Sequence, residues 1–176
     1  MNKTILLTSF EPWLAHHQSN SSDDLLELSM ETIPNQNVNG YRLELLRHLP
    51  VDGEIASQLV IDSIEIIQPQ LVVCCGMAES YQHLTIESQA RCEDLCWQTT
   101  VNLDDIICGL TATQIGTDAG KFVCEDLYFS VLSYLSSYRS HTCSIFVHVP
   151  ILTDRNQDLI ISDFCRILTN LTVMYD

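Results

Sequence analysis

Basic residues are scarce in this chain: 8 lysines and arginines stand against 23 aspartates and glutamates in 176 residues, a formal net charge of −15. Nucleic acid and anionic membrane surfaces are bound through cations that neutralise phosphates, so both repel such a chain and neither is expected as a partner. Long apolar runs are lacking as well. The opening MNKTILLTSF carries one lysine and an apolar run of only three residues. That is too short for the apolar part of a signal peptide, and no later run approaches the roughly 20 residues that cross a bilayer. The expectation is a cytoplasmic protein. The sequence also shows no internal repeat, low-complexity tract or compositional break. Residues 1–176 are therefore read as one domain, long enough to bury a single core.

Cysteine, by contrast, is plentiful, with 8 residues. A disulfide framework is not implied, because Cys74 and Cys75 are adjacent inside the strand-like LVVCCGM and the chain is long enough to fold without staples. CEDLC, from Cys92 to Cys96, has a spacing compatible with metal binding. No second Cys or His pair lies nearby at ligand spacing, so no metal is expected. Most of the thiols read as small buried hydrophobes.

Periodicity places alternating strands and helices. KTILLTSF reads as a buried strand, followed by the polar loop EPWLAHHQSN. SSDDLLELSMETI reads as a helix capped by Ser22, with Asp23 and Asp24 at the positive end of its dipole. YRLELLRHLP alternates like a strand. Ser57 to Gln68 reads as a helix with Ile55, Leu59, Ile66 and Ile67 close to one face, stopped by Pro69. LVVCCGM is apolar throughout, as at the centre of a parallel sheet. HLTIESQA is a further strand with its outgoing loop, whereas Arg91 to Gly116 gives no clear pattern. A long helix from about Lys121 to Tyr138, the strand CSIFVHVPIL and a final helix near Asn156 to Asn170 complete the chain. Leu159, Ile160, Phe164 and Ile167 of that last helix are expected to face inward. The pattern predicts an α/β fold, a three-layer α/β/α sandwich with a mostly parallel central sheet, as in phosphorylase- and hydrolase-like proteins.

Two residues stand where chemistry is possible. Cys124 lies at the start of the long helix, where backbone N–H groups and the helix dipole stabilise a thiolate and lower the thiol pKa. His148 lies at the end of a strand, just before Pro150. Strand ends and helix starts of an α/β sheet face one crevice, so the two can meet as a nucleophile and its base. A packing role for each stays open on spacing alone.

Separated stretches add to this. SFEPWLA (Ser9 to Ala15) resembles GFEPFGG. GMAESYQHLTIESQA (Gly76 to Ala90) aligns without a gap to GQAGGRxxxxxERxA. AGKFVCE and FVHVPIL resemble AGxxxCN and FIHVPxL. These motifs, in this order, are those of the pyroglutamyl peptidase I family (pyrrolidone-carboxylate peptidases, cysteine peptidases), which the chain resembles over most of its length. The resemblance implies a thiol protease of omega-peptidase type that releases N-terminal pyroglutamate from small peptides or amides. In it Cys124 would be the nucleophile, His148 the general base and Glu87 the orienting carboxylate. No cofactor or metal is needed, and a homo-dimer or homo-tetramer is suggested. Phe10 and Trp13 stand where the family's two pocket phenylalanines would be. Asn20 resembles a family Asn after a shift of one residue, and Met77 and Val123 fall on the same substrate pocket.

Departures from the family gather around the substrate. Met77 replaces a Gln, and Glu79, Ser80 and Tyr81 replace Gly-Gly-Arg. Leu14 and Ala15 replace two glycines, Cys92 replaces an Asn, and Glu125 replaces the Asn that follows the nucleophile. The stretch between Glu87 and Cys124 is also shorter than usual, which would open the site or alter assembly contacts. Glu125, if close, would raise the Cys124 pKa and weaken activity. Three readings follow: a pyroglutamyl peptidase with an altered pocket, a related cysteine amidohydrolase with a different substrate, or a non-catalytic homologue that binds a ligand or partner.

Overall fold

In the computed structural model, residues 3–14, 17–139 and 141–175 are described. Ala15, the last residue of the first motif, lies outside them. The apolar strand segments form a mixed sheet of 7 strands. Its core strand β1 (Lys3–Phe10) is flanked by β3 (Tyr41–Leu49) and β4 (Leu71–Met77), and β4 pairs with β9 (Cys143–Val149), all in parallel. On the far side of β9, β5 (Leu84–Glu87) runs antiparallel to it and parallel to the edge strand β8 (Thr113–Gly116). A two-residue strand, β2 (Asn37–Val38), closes the other edge against β3. The region without a sequence pattern holds a separate hairpin, β6 (Gln89–Cys92) with β7 (Leu95–Gln98), and a short helix, α3 (Leu103–Ile107).

Alternation along each strand splits the core in two. Leu71, Val73 and Cys75 of β4, with Ile145, Val147 and Val149 of β9, face α1 (Ser21–Thr32), α3 and α5 (Gln157–Met174). Val72, Cys74 and Phe146 face α2 (Gly53–Ile67) and α4 (Val123–Tyr138). Residues 76 and 148 share the parity of the second set, so that parity places them beneath α4. Helix α4 is anchored there by fully or nearly buried Leu127, Tyr128, Val131, Leu132 and Leu135, each aliphatic among them contributing about 1.5–3 kcal/mol by leaving water. The sheet thus has helices on both faces, a three-layer α/β/α arrangement.

Several local expectations change. Helix α1 is capped by Asn20, whose Oδ1 accepts from the Ser22 N–H at 3.0 Å, so Ser22 lies inside the helix instead of capping it. Helix α2 begins earlier than expected, at Gly53, where Asp52 accepts from the Ile55 N–H. Its buried face is Ala56, Ser57, Val60 and Ile64, whereas Ile55, Leu59 and Ile66 are 52%, 40% and 82% exposed. At about 100° per residue, the stripe that meets the sheet is offset from those three. Leu159 of α5 is likewise exposed, while Ile160, Phe164 and Ile167 are buried. The thiols divide more evenly than their type suggests: Cys74, Cys75 and Cys143 are buried, Cys124 and Cys165 half-buried, and Cys92, Cys96 and Cys108 exposed. The exposed ones sit in the hairpin and beyond α3, where thin local structure offers no core. Among the described residues no helix is long and apolar enough to cross a membrane.

Candidate active site

The carboxyl ends of β1, β4 and β9 open into a cavity of about 740 Å³. A crevice at that edge of a parallel sheet is the usual ligand position, because loops there are free to vary over a fixed frame. Helix α4 starts beside it, so Cys124, its second residue, lines the wall. His148, the second-last residue of β9, lines it as well. Glu87 ends β5 and is fully buried behind the histidine.

Glu87 Oε1 is 2.8 Å from His148 Nδ1. A carboxylate accepts, so Nδ1 carries the hydrogen and Nε2 is left with its lone pair. The second carboxyl oxygen accepts the Asp118 N–H at 3.2 Å, and the Tyr128 hydroxyl donates to the Glu87 carbonyl at 3.0 Å. Both oxygens and the main chain of Glu87 are thereby fixed. Gly116, its neighbour on β8, leaves room for this: a Cβ there would overlap Glu87 Oε2. The imidazole also meets two aromatic rings, Phe146 with centroids 4.9 Å apart and Tyr81 at 5.6 Å.

The thiol is brought to the histidine by a third strand. Gly76 of β4 pairs with His148 across the sheet, and a Cβ on Gly76 would lie 2.7 Å from Cys124 Sγ and 2.8 Å from the Phe146 ring. Adjacent strands are about 4.8 Å apart, so a sulfur seated over Gly76 is next to the His148 position. Only a residue without a side chain admits it there.

Sequence position alone suggested a lowered thiol pKa. The structure reverses the sign: burial, then the neighbouring Cys74, Glu87 and Asp126, push the Cys124 thiol up to about 12, and its own backbone N–H offsets this only in part. Desolvation of the charged form outweighs the helix end. Glu125, the suspected acid, turns away and accepts the Arg91 N–H at 2.8 Å, which ties α4 to the hairpin. Asp126 is the carboxylate of that turn that acts on the sulfur.

This fixes an order of reactivity. With iodoacetamide at pH 7, exposed Cys92, Cys96 and Cys108 are expected to be alkylated before Cys124. In ligand-free protein the Cys124 rate should keep climbing, about tenfold per pH unit, from pH 7 to 10 as the thiolate fraction grows. Peptide mass spectrometry at timed quenches reads this, and rapid Cys124 labelling that levels off below pH 7 would contradict it.

The remaining expected residues line the same cavity: Phe10, Trp13, Asn20, Met77 and Val123. Phe10 is buried and Trp13 is 51% exposed. The Asn20 amide is occupied within the fold, since its Nδ2 donates to the Glu11 carbonyl at 3.1 Å and its Oδ1 also accepts from the Ser22 hydroxyl at 2.7 Å. Tyr81, one of the departures gathered around the substrate, lines the wall as well, and Lys121, Phe122 and Asp126 do so unforeseen. They follow from the turn after β4 and the loop before α4. No side chain caps α4; the Glu125 and Asp126 N–H groups donate to the Phe122 carbonyl, which leaves those of the cavity-lining Val123 and Cys124 outside the helix ladder. Among the described residues no group of three or more His, Cys, Asp or Glu side chains is arranged to hold a metal ion.

No family model matches the chain. It is nonetheless similar to curated proteins over most of its length. The pyrrolidone-carboxylate peptidase of Vibrio vulnificus (strain YJ016) is 25% identical over 182 aligned residues, covering 87% of this chain and 81% of the relative. Pyrrolidone-carboxylate peptidase 1 of Photorhabdus laumondii is 24% identical over 184, with the same coverage. Among solved structures, pyroglutamyl peptidase I from Bacillus amyloliquefaciens superposes with a TM-score of 0.83 at 18% identity, covering 100% of this chain and 98% of that one. The pyrrolidone carboxyl peptidase of Fervidobacterium islandicum gives 0.83 at 16% identity, over 97% and 99%. The chain shares their fold.

Proposed function

We propose that this chain, a divergent relative of the pyrrolidone-carboxylate peptidases, is a cysteine peptidase that releases N-terminal pyroglutamate from peptides. The observation that carries the reading is the Glu87–His148 pair at 2.8 Å, on a strand whose neighbour Gly76 seats the Cys124 sulfur, at the wall of an aromatic cavity. Nucleophile, base and orienting carboxylate are the parts of a thiol-dependent acyl transfer.

The raised thiol pKa dictates how the first step runs. Cys124 enters as a neutral thiol, so His148 Nε2 takes its proton as the sulfur attacks the carbonyl carbon that joins the lactam residue to the next one. The oxyanion that forms would accept from the Val123 and Cys124 N–H groups at the start of α4. His148 then gives the proton to the departing amine, leaving a thioester on Cys124. Water, deprotonated by His148, attacks that thioester and frees pyroglutamate. Glu87 holds the working tautomer and balances the imidazolium.

A pyroglutamyl ring is uncharged and flat, which suits walls made by Phe10, Trp13 and Val123. Met77 offers no hydrogen bond to the lactam, and this favours one second reading: a related amidohydrolase that takes another small uncharged N-terminal cap. Cytoplasmic location belongs to the proposal through the sequence reading and a homo-dimer or homo-tetramer through the resemblance alone, and gel filtration tests the latter.

The test is hydrolysis of fluorogenic amides under reducing conditions. Pyroglutamyl amide is expected to be cleaved and prolyl amide left intact, because prolyl would bring a charged ring nitrogen against the uncharged walls of Phe10, Trp13 and Val123. Cleavage of an acetyl- or formyl-capped amide in preference to pyroglutamyl would establish the second reading. Failure on all of them would leave the non-catalytic one.

A further inference from the structure

Three groups fix the His148 ring, and two of them, Glu87 and Phe146, do not line the cavity. The third, Tyr81, does. Its ring meets the imidazole edge-on, with centroids 5.6 Å apart and planes at 71°, a geometry worth a specific contact beyond simple burial. The placement is imposed by the turn that carries it. The Ala78 N–H donates to the Val149 carbonyl at 2.8 Å, tying the turn to the residue after His148, and the Tyr81 N–H donates to the Ala78 carbonyl at 3.0 Å. Tyrosine and histidine are thus held to one strand end by two successive main-chain bonds.

We propose that Tyr81 is a positioning residue: its ring walls the imidazole on the cavity side, clamps it against Phe146 and Glu87, and keeps Nε2 directed at Cys124. The ring acts and the hydroxyl is dispensable. Among the described residues that hydroxyl makes no hydrogen bond, so the side chain meets the imidazole through its ring. Burial and the nearby Glu87 and Asp118 also hold the phenol above its ordinary pKa, so it stays neutral beside the base. Tyr81 stands at one of the positions where the sequence departs from the motif it resembles. The charged and titratable groups around the imidazole are Glu87 from β5, Cys124 and Asp126 from α4, Cys74 from β4, Asp118 and Lys121 from the loop before α4, and Glu79 from the turn itself. Tyr81 is the uncharged wall among them.

The inference rests on the peptidase reading for its kinetic arm only. Tyr81→Phe keeps the ring and is expected to hold kcat within about 3-fold of native. Tyr81→Ala is expected to lower kcat at least about tenfold with little change in KM, the signature of misplaced machinery, not lost substrate binding. Tyr81→Leu, which restores bulk without an aromatic edge and guards against collapse of the turn, should fall near the alanine variant. Two measurements need no turnover: the NMR line shapes of the His148 ring protons, which report whether the ring is held in one orientation, and the iodoacetamide rate at Cys124. In Tyr81→Ala the first are expected to broaden and the second to slow because Nε2 no longer faces the thiol proton, with both native-like in Tyr81→Phe. Equal damage from Phe and Ala would make the hydroxyl the active part and overturn the proposal. So would native-like His148 line shapes and Cys124 rate in Tyr81→Ala. If the native chain cleaves no pyroglutamyl amide, the peptidase reading fails while these two measurements still decide the role of Tyr81.

Discussion

Replacing Cys124 by alanine is expected to reduce hydrolysis of a pyroglutamyl amide to background, a loss on the order of 10⁶ in kcat as when a triad nucleophile is removed. The size of the effect follows from the division of labour in the cavity. His148 has no other proton to take at the attack position, and water cannot be held at the sulfur's place over Gly76 with the same alignment to a bound carbonyl. Binding should survive, because the aromatic walls are untouched. The substitution removes one half-buried sulfur at the cavity wall, so the melting temperature should stay within a few degrees of native. The decisive comparison is kcat for native and variant protein under reducing conditions, with melting curves for both. Retention of a tenth or more of native activity would remove Cys124 from the role of nucleophile.

Glu87→Gln carries the second large effect, about 10⁴ in kcat. An amide is nearly the shape of the carboxylate, yet it cannot serve the same two partners. Glu87 accepts at both oxygens, one facing His148 Nδ1 and the other the Asp118 N–H. A glutamine offers one acceptor and one donor group. If its oxygen faces His148, its NH₂ meets the Asp118 N–H, donor against donor. If it is flipped, the NH₂ faces Nδ1 and drives the hydrogen to Nε2, the tautomer that cannot take the thiol proton. Space offers no relief, since Gly116 already brings the β8 backbone as near as a residue without a side chain allows. The expectation is a folded protein with an intact Cys124 and a collapsed kcat. Steady-state kinetics, with thermal melting as the control, measures it. A variant within tenfold of native would show that His148 is oriented without its carboxylate.

Residue patterns carried more of this architecture than of its electrostatics. LVVCCGM and CSIFVHV reach seven residues without a charge and became the adjacent central strands β4 and β9. Cys124 and His148 could be picked out because a helix start and a strand end are local features, marked by their immediate neighbours. The region from Arg91 to Gly116 was illegible for the opposite reason: its hairpin strands are four residues each and mostly exposed, too short and too wet to show a period. The faces of α2 and α5 were misjudged at Ile55, Leu59, Ile66 and Leu159 because an apolar residue next to a buried stripe is indistinguishable in sequence from one within it.

The sequence by itself determined an acidic α/β chain with strands too apolar to lie outside a covered sheet, and a thiol and an imidazole placed at crevice-forming ends. Charge balance and periodicity are properties of near neighbours, so one strand of text contains them. Only the tertiary structure decided that Glu87 meets a histidine 61 residues away, that Gly76 seats the sulfur, that Tyr81 packs edge-on against the His148 ring and that burial pushes the Cys124 thiol up. Desolvation depends on everything packed around a group. It outweighed the helix end at Cys124 because α4, β4 and Phe146 close over the sulfur together, and no window of sequence contains all three.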